Sequence, residues 1–251
     1  MGRPKLKQTA SDAIKQRLIE STRKRIKAEG LSGVTIRSIA QDASLNSAVL
    51  YKYFENLDEL LLFACVDTLR DYTAALLEAE ASTEAFTPRE RYMTSWTLFC
   101  RHAFSNPESI RHLFFSAQSA RLKPVIQEYY RLFPGELGDM PQCLQQMLLE
   151  ADLSCRNLAV LQLVLEGKIP PHELVLRNEL TIAAFYMLLT QRIQFPDQYP
   201  AERQQARMLE ACAAHLRPFA EKTVFRSVPP ESKSYMCKKA AVSSWRKRLL
   251  S

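Results

Sequence analysis

The apolar positions between Thr35 and Phe54 fall into two helical phases that do not match each other. The first series is Ile36, Ile39, Ala40 and Ala43, with steps of three, one and three. The second is Leu45, Val49, Leu50 and Tyr53, with steps of four, one and three. Both spacings are helical, but the phase slips between Ala43 and Leu45, so one unbroken helix cannot keep both sets on one face. The pattern therefore predicts two short helices joined by a tight turn at Ser44, with small Ala40 letting them approach closely. Thr35 and Asn46 stand where N-caps belong. Gly30 and Gly33 close an earlier helix, and Asn56 with Glu59 makes a capping-box-like start for the next one. With Leu45, Val49, Leu50 and Tyr53 turned inward, Asn46, Ser47, Ala48, Tyr51 and Lys52 face outward. This is the pattern of a helix-turn-helix, whose second helix enters a DNA major groove.

Helical periodicity continues through the rest of the chain, and strand-like alternation is sparse. Residues 56–81 form one long pattern linking a head to a body. Thr87-Pro88-Arg89-Glu90 combines a cap, a proline at the first helical position and a glutamate at the third, opening a helix with Tyr92, Trp96, Phe99, Cys100 and Phe104. Asn106-Pro107 opens another with Ile110, Leu113 and Phe114, and residues 122–133 carry Tyr129 and Tyr130. After a loop at 134–141, helices are expected over 142–167 and 172–194, parted by Pro170-Pro171, and a last one over 201–220. In the 172–194 segment the apolar positions are Leu176, Leu180, Ala183, Ala184, Met187 and Leu188. The fold class is thus all-α: a three-helix head at 1–55, a larger helical body at 56–221 and a disordered basic tail at 222–251.

Charge sharpens this division. Residues 1–53 hold 11 Lys/Arg against 4 Asp/Glu, residues 54–221 hold 15 against 22, and residues 222–251 hold 8 against 1. A basic head on an acidic body suits a nucleic-acid-binding unit joined to one that binds something else. Arg3, Lys5 and Lys7 are expected to form a flexible arm along the DNA backbone or in a minor groove. No apolar run is long enough to span a membrane, and the N-terminus lacks the apolar stretch of a signal peptide; the expected location is the cytoplasm. Six cysteines occur without a CxxC pair or metal-site spacing and read as reduced thiols.

The stretch from about Ser11 to Phe63 resembles the DNA-binding domain of TetR-type (TetR/AcrR) transcriptional regulators. The resemblance is carried by a long first helix, then TIRSIAQDA, then AVLYKYF, then LDELL. It implies phosphate contacts at Thr35, Tyr51 and Lys52 and base contacts near Ser47 and Ala48. The residues themselves agree: small Ser47 and Ala48 permit deep entry into the groove, Tyr51 and Lys52 suit phosphate oxygens, and Thr35 and Arg37 sit at a positive helix end. The DNA-binding set is therefore Thr35, Arg37, Asn46, Ser47, Ala48, Tyr51 and Lys52. Two positions depart from the family pattern: Ser44 replaces the usual turn glycine, and Leu57 replaces a frequent lysine.

The same resemblance implies a homodimer through about 142–194, packed as a four-helix bundle, on a palindromic double-stranded operator. It also implies repression relieved by a small molecule held in the body. Trp96, Phe99, Phe104, Phe114 and Tyr130 are the candidate pocket residues, and the ligand's identity is not legible. A regulator without a small-molecule ligand, governed by a protein partner or thiol oxidation, is the alternative. Histidines 102, 112, 172 and 215 are scattered, and no HExxH, GxSxG or phosphate loop occurs, so no enzyme, cofactor or metal is expected.

Overall fold

The computed structural model describes residues 3–81, 87–136 and 150–217, with only the backbone considered at 3–7 and 80. The head comprises α1 (Arg3–Glu29), α2 (Ile36–Asp42) and α3 (Ser47–Leu50). The body comprises α4 (Leu57–Ala81), α5 (Pro88–Ser105), α6 (Pro107–Phe115), α7 (Leu122–Leu132), α8 (Leu153–Leu165), α9 (Pro171–Gln194) and α10 (Ala201–His215). Short 3₁₀ turns at Ala117–Arg121 and Pro134–Glu136 flank α7, and no strand occurs among the described residues.

The long α4 holds head and body together. Its residues Leu60 to Val66 are apolar without a break and all buried. A helix apolar on every side must be covered on every side, and α1 packs on one flank of α4 while α5, α6 and α7 pack on the others. Asn56 starts this helix by accepting the Glu59 N–H at 2.9 Å, and the Glu59 carboxylate accepts the Glu55 N–H at 2.6 Å. Thr87 and Glu90 form the expected reciprocal capping box at the start of α5. The expected head boundary at 55/56 falls in the turn just before α4.

Three expectations need correction. Residues 3–7 continue α1 as helix instead of forming a separate arm. The helix expected over 142–167 starts only at Leu153: the Asp152 carboxylate accepts the Ser154 and Cys155 N–H groups and fixes the N-terminus there, and residues 142–149 lie outside the described set. The last helix ends at His215, because Leu216 turns to cap it, and the tail at 222–251 also lies outside the described residues. In α9 the inward face is not the most apolar one. Arg177, Asn178, Thr181, Phe185, Leu188 and Leu189 are buried, while Val175, Leu176, Leu180, Tyr186 and Met187 stand 42–47% exposed.

The inward polar groups of α9 are satisfied by neighbouring helices, as buried polar groups must be. Arg177 donates to the Arg217 carbonyl at 2.7 Å and to that of His215, closing the C-terminal end of α10 where a cation is favoured. A chain of amides crosses the body. The Trp96 indole N–H donates to Asn157 at 2.9 Å, the Asn157 amide to Asn178 at 2.7 Å, and the Asn178 amide to the Ser154 hydroxyl at 2.7 Å. These bonds lock α5, α8 and α9 to each other.

Candidate nucleic-acid interface

The turn between α2 and α3 follows from two backbone bonds. The Leu45 N–H reaches back to the Ala40 carbonyl at 2.8 Å, and the Ser44 N–H to Gln41 at 3.0 Å. This six-to-one and nested bond pair is a Schellman motif. It requires a left-handed residue at Ser44, and Ser44 takes φ +51°, the one such non-glycine among the described residues. The motif satisfies the last carbonyls of α2 and redirects the chain within two residues, which is what the phase slip demanded.

Caps set the remaining geometry. Thr35 accepts the Ser38 N–H at 3.1 Å, and Ser38 accepts the Thr35 N–H at 3.2 Å. Asn46 accepts the Ala48 N–H at 2.9 Å and starts α3. Ile39, Ala40, Ala43 and Leu50 pack into the core, and Phe54 seats edge-on against Phe63 with centroids 5.4 Å apart. That contact anchors the end of the motif to α4. Val34, Leu18 and Ile19 close the inner side of the head.

Thr35, Arg37, Asn46, Ala48, Tyr51 and Lys52 are exposed and Ser47 is half-buried. Tyr51 is 58% exposed, high for an aromatic ring without a functional surface to serve. The helical part of the second element is shorter than its periodicity suggested: α3 stops at Leu50, and Tyr51 to Tyr53 form a turn. Tyr51 and Lys52 therefore project from the turn after the helix, beside its outward face.

Ion pairs and hydrogen bonds tie the head to the body. Arg131 on α7 reaches Asp12 on α1 at 2.8 Å, Lys15 reaches Glu128 at 2.8 Å, and Gln16 donates to the Leu132 carbonyl at 2.5 Å. Deeper in, Arg23 donates to Asp67 at 2.6 Å and to Glu136 at 3.0 Å, and also meets the Tyr129 hydroxyl. Arg131, through its hydrogen bond, holds the Asp12 carboxyl below its ordinary range. Arg121 pairs with Glu55 and, at 2.7 Å, with Glu59 at the start of α4. These bonds join α1 to α4, to α7 and to the turn after α7. Periodicity carried no sign of them, because each partner lies dozens of residues away in sequence.

The candidate pocket residues divide. Trp96 and Phe99 line a small, half-open cavity of ≈ 40 Å³ between α4, α5 and α8, together with Tyr72, Tyr92, Ser95 and Arg156. Phe104 packs against Phe185 at 5.8 Å, and Tyr130 stacks edge-on to Tyr129 at 5.3 Å, both outside that wall. Phe114 lies beneath the Arg156 guanidinium at 5.4 Å. Arg156 itself carried no recognisable signal, being the one charged residue of its helix. A second, open cleft of ≈ 600 Å³ runs between the end of α1 and the α4 and α6 helices, lined by Arg23, Asp67, Glu108 and Arg192 among others.

Comparison with known proteins agrees with the geometry of the head. Residues 18–63 match the family described as bacterial regulatory proteins, tetR family. No curated protein matches the chain in sequence. Among solved structures, the chain is similar in fold to RolR in complex with the ligand resorcinol, at 18% identity and a TM-score of 0.53, covering 85% of this chain and 98% of that one. A TetR transcriptional regulator from Rhodococcus sp. RHA1 aligns at 13% identity and a TM-score of 0.47 over 85% of this chain and 100% of its own.

Proposed function

We propose, for a chain that belongs through its DNA-binding head to the TetR family of transcriptional regulators, that it is a repressor binding a palindromic operator as a homodimer and released by a small molecule. The observation that carries the DNA-reading part is the outward set at 46–52 on a turn fixed by a left-handed Ser44. Ser47 and Ala48 offer small groups to base edges and thymine methyls. Tyr51, Lys52, Thr35 and Arg37 suit the flanking phosphates.

The exposed stripe of Val175, Leu176, Leu180, Tyr186 and Met187 supports a dimer through α9. An unpaired apolar helix face of this length is unusual on a monomer. A second copy laying its own α8 and α9 against it would make a four-helix bundle. Two heads held about one helical turn apart, ~34 Å, would then meet two half-sites. An effector entering the body would move α7, and through the α1–α7 pairs the heads, shifting the dimer away from its DNA-competent spacing.

The alternative control by thiol oxidation finds little support at three of the four described cysteines, Cys155 being half-buried. Cys65, Cys100 and Cys212 are buried, and burial pushes the Cys65 and Cys212 thiols up to about 12. A neutral, enclosed thiol is a poor nucleophile. Release of genome-captured operator DNA by a compound panel tests the effector reading. A compound that both releases DNA and raises the melting midpoint by mass action is expected. A well-folded protein that keeps its DNA in the presence of every compound class would overturn it.

A further inference from the structure

We propose that the open cleft between the end of α1 and helices α4, α6 and α9 binds a small aliphatic zwitterion of the amino-acid type. Such a site stands whether or not its ligand releases DNA, and so goes beyond the effector reading above.

The cleft has the volume of a small-molecule site. Its ≈ 600 Å³ lies within the roughly 300–1,000 Å³ typical of such pockets. The ≈ 40 Å³ cavity beside Trp96, by contrast, has room for about three waters at roughly 10–15 Å³ each. The apolar part of the lining is aliphatic: Ile26 and Leu31 from the head, Ala64 and Ile193 from the body. Among the described residues, no aromatic side chain lines the cleft. A ligand gains there by covering aliphatic surface, with no ring to stack on.

The charged part of the lining consists of Arg23, Lys27 and Arg192 with Glu29, Asp67 and Glu108. Three of these are already matched. Arg23 donates to Asp67 at 2.6 Å, and Glu29 pairs with Arg25 outside the cleft. Lys27, Arg192 and Glu108 remain. Lys27 is exposed, and its ammonium enters no ion pair among the described residues. Arg192 is half-buried; it donates from Nε to the Phe104 carbonyl at 3.3 Å and from Nη1 to the Pro196 carbonyl at 3.0 Å. Those bonds hold the guanidinium in place but use only part of its donor fork and bring no counter-charge. Glu108 accepts the Leu31 N–H at 3.2 Å, and a carboxylate has sites for further donors. No ion pair joins Glu108 to either cation among the described residues.

Residual charges of both signs around one cleft suit a ligand that carries both. Its carboxylate would meet Arg192 and Lys27, and its ammonium would meet Glu108. A plain carboxylate would face Glu108 as a like charge, and a plain amine would face the two cations. The site is also shared between head and body. Leu31 belongs to the loop that leads into α2, and Glu108 to the first turn of α6. An occupant held by Lys27 on one side and by Arg192 and Glu108 on the other spans that junction, so its affinity is linked to the set of the head.

The test is calorimetric titration of the full-length protein with L-leucine, isocaproate and isoamylamine. The three share one aliphatic body and carry both charges, the negative alone and the positive alone. L-leucine is expected to bind, and each singly charged analogue to bind at least about tenfold more weakly. Glu108→Gln keeps an acceptor for the Leu31 N–H and removes the charge. It is expected to melt like the wild type and to bind L-leucine no better than isocaproate. Arg192→Gln, if folded by circular dichroism, is expected to weaken L-leucine and isocaproate together and to leave isoamylamine unchanged. Unchanged L-leucine affinity in either folded variant would overturn the assignment, as would either analogue binding the wild type as tightly as L-leucine. Absence of L-leucine binding would overturn the proposal outright, whereas the effector reading is decided separately, by release of captured operator DNA.

Discussion

Replacing Ser44 by glycine is expected to stabilise the protein. At φ +51° the serine Cβ crowds the following carbonyl, which costs about 1–2 kcal/mol. Glycine removes that crowding but loses more backbone freedom on folding, by about 0.5–1 kcal/mol. The difference is a gain of about 0–1.5 kcal/mol, centred near 0.75, or a rise in Tm of up to about 6 °C for a chain of this length. Ser44→Ala is the control. It removes the hydroxyl and keeps the Cβ, so it should leave the midpoint unchanged or slightly lower. Thermal melting of the three proteins by circular dichroism at one fixed concentration reads the effect, because concentration shifts the midpoint of a self-associating protein. If Ser44→Gly melts no higher than Ser44→Ala, the turn is not left-handed at this position and the placement of α3 fails with it.

Arg23→Met should lower stability by about 2–4 kcal/mol in chemical denaturation, because it leaves Asp67 and Glu136 together with only the more exposed Arg70 beside them; a loss under 1 kcal/mol would show that the head-to-body network is dispensable. Glu128 is held down from 4.5 to about 2 by its hydrogen bonds to Arg131 and Lys15. A depressed folded-state pKa stabilises above the unfolded value and is lost as pH falls through the folded one. Wild type should therefore lose stability relative to Glu128→Gln as pH drops from about 4.5 toward 2, and parallel pH profiles would contradict the pairing. Leu180→Glu, on the exposed stripe of α9, should yield a folded monomer in sedimentation, whereas an unchanged dimer would move the interface elsewhere.

The two-helix motif was legible because its signals are local. A phase slip, two cap residues and the Asn56–Glu59 start lie within 25 residues, and each became the geometry it implied. Ser44 in place of glycine did not break the motif; it adopted the strained conformation instead. The body was legible as helices but not as faces. In α9 the buried side is built from Arg177, Asn178 and Thr181, whose satisfaction depends on His215, Arg217, Asn157 and Ser154. No periodicity argument anticipates partners that distant, so the spacing of Leu176, Leu180 and Met187 did not say which side of α9 faces the core; they face outward. The same reasoning explains the pocket. Aromatic spacing pointed to Trp96 and Phe99, while the charged residue of the same lining, Arg156, lies 57 residues beyond Phe99.

The most direct test of the account is sequencing of genomic DNA captured by the full-length protein and by its Ala48→Glu variant. The wild type should recover a small set of sites sharing one inverted repeat. The variant, which places a carboxylate against the base edges, should melt at the same temperature and recover none of them. Recovery of the same sites by Ala48→Glu would contradict the assignment of the 46–52 face as the surface that reads DNA.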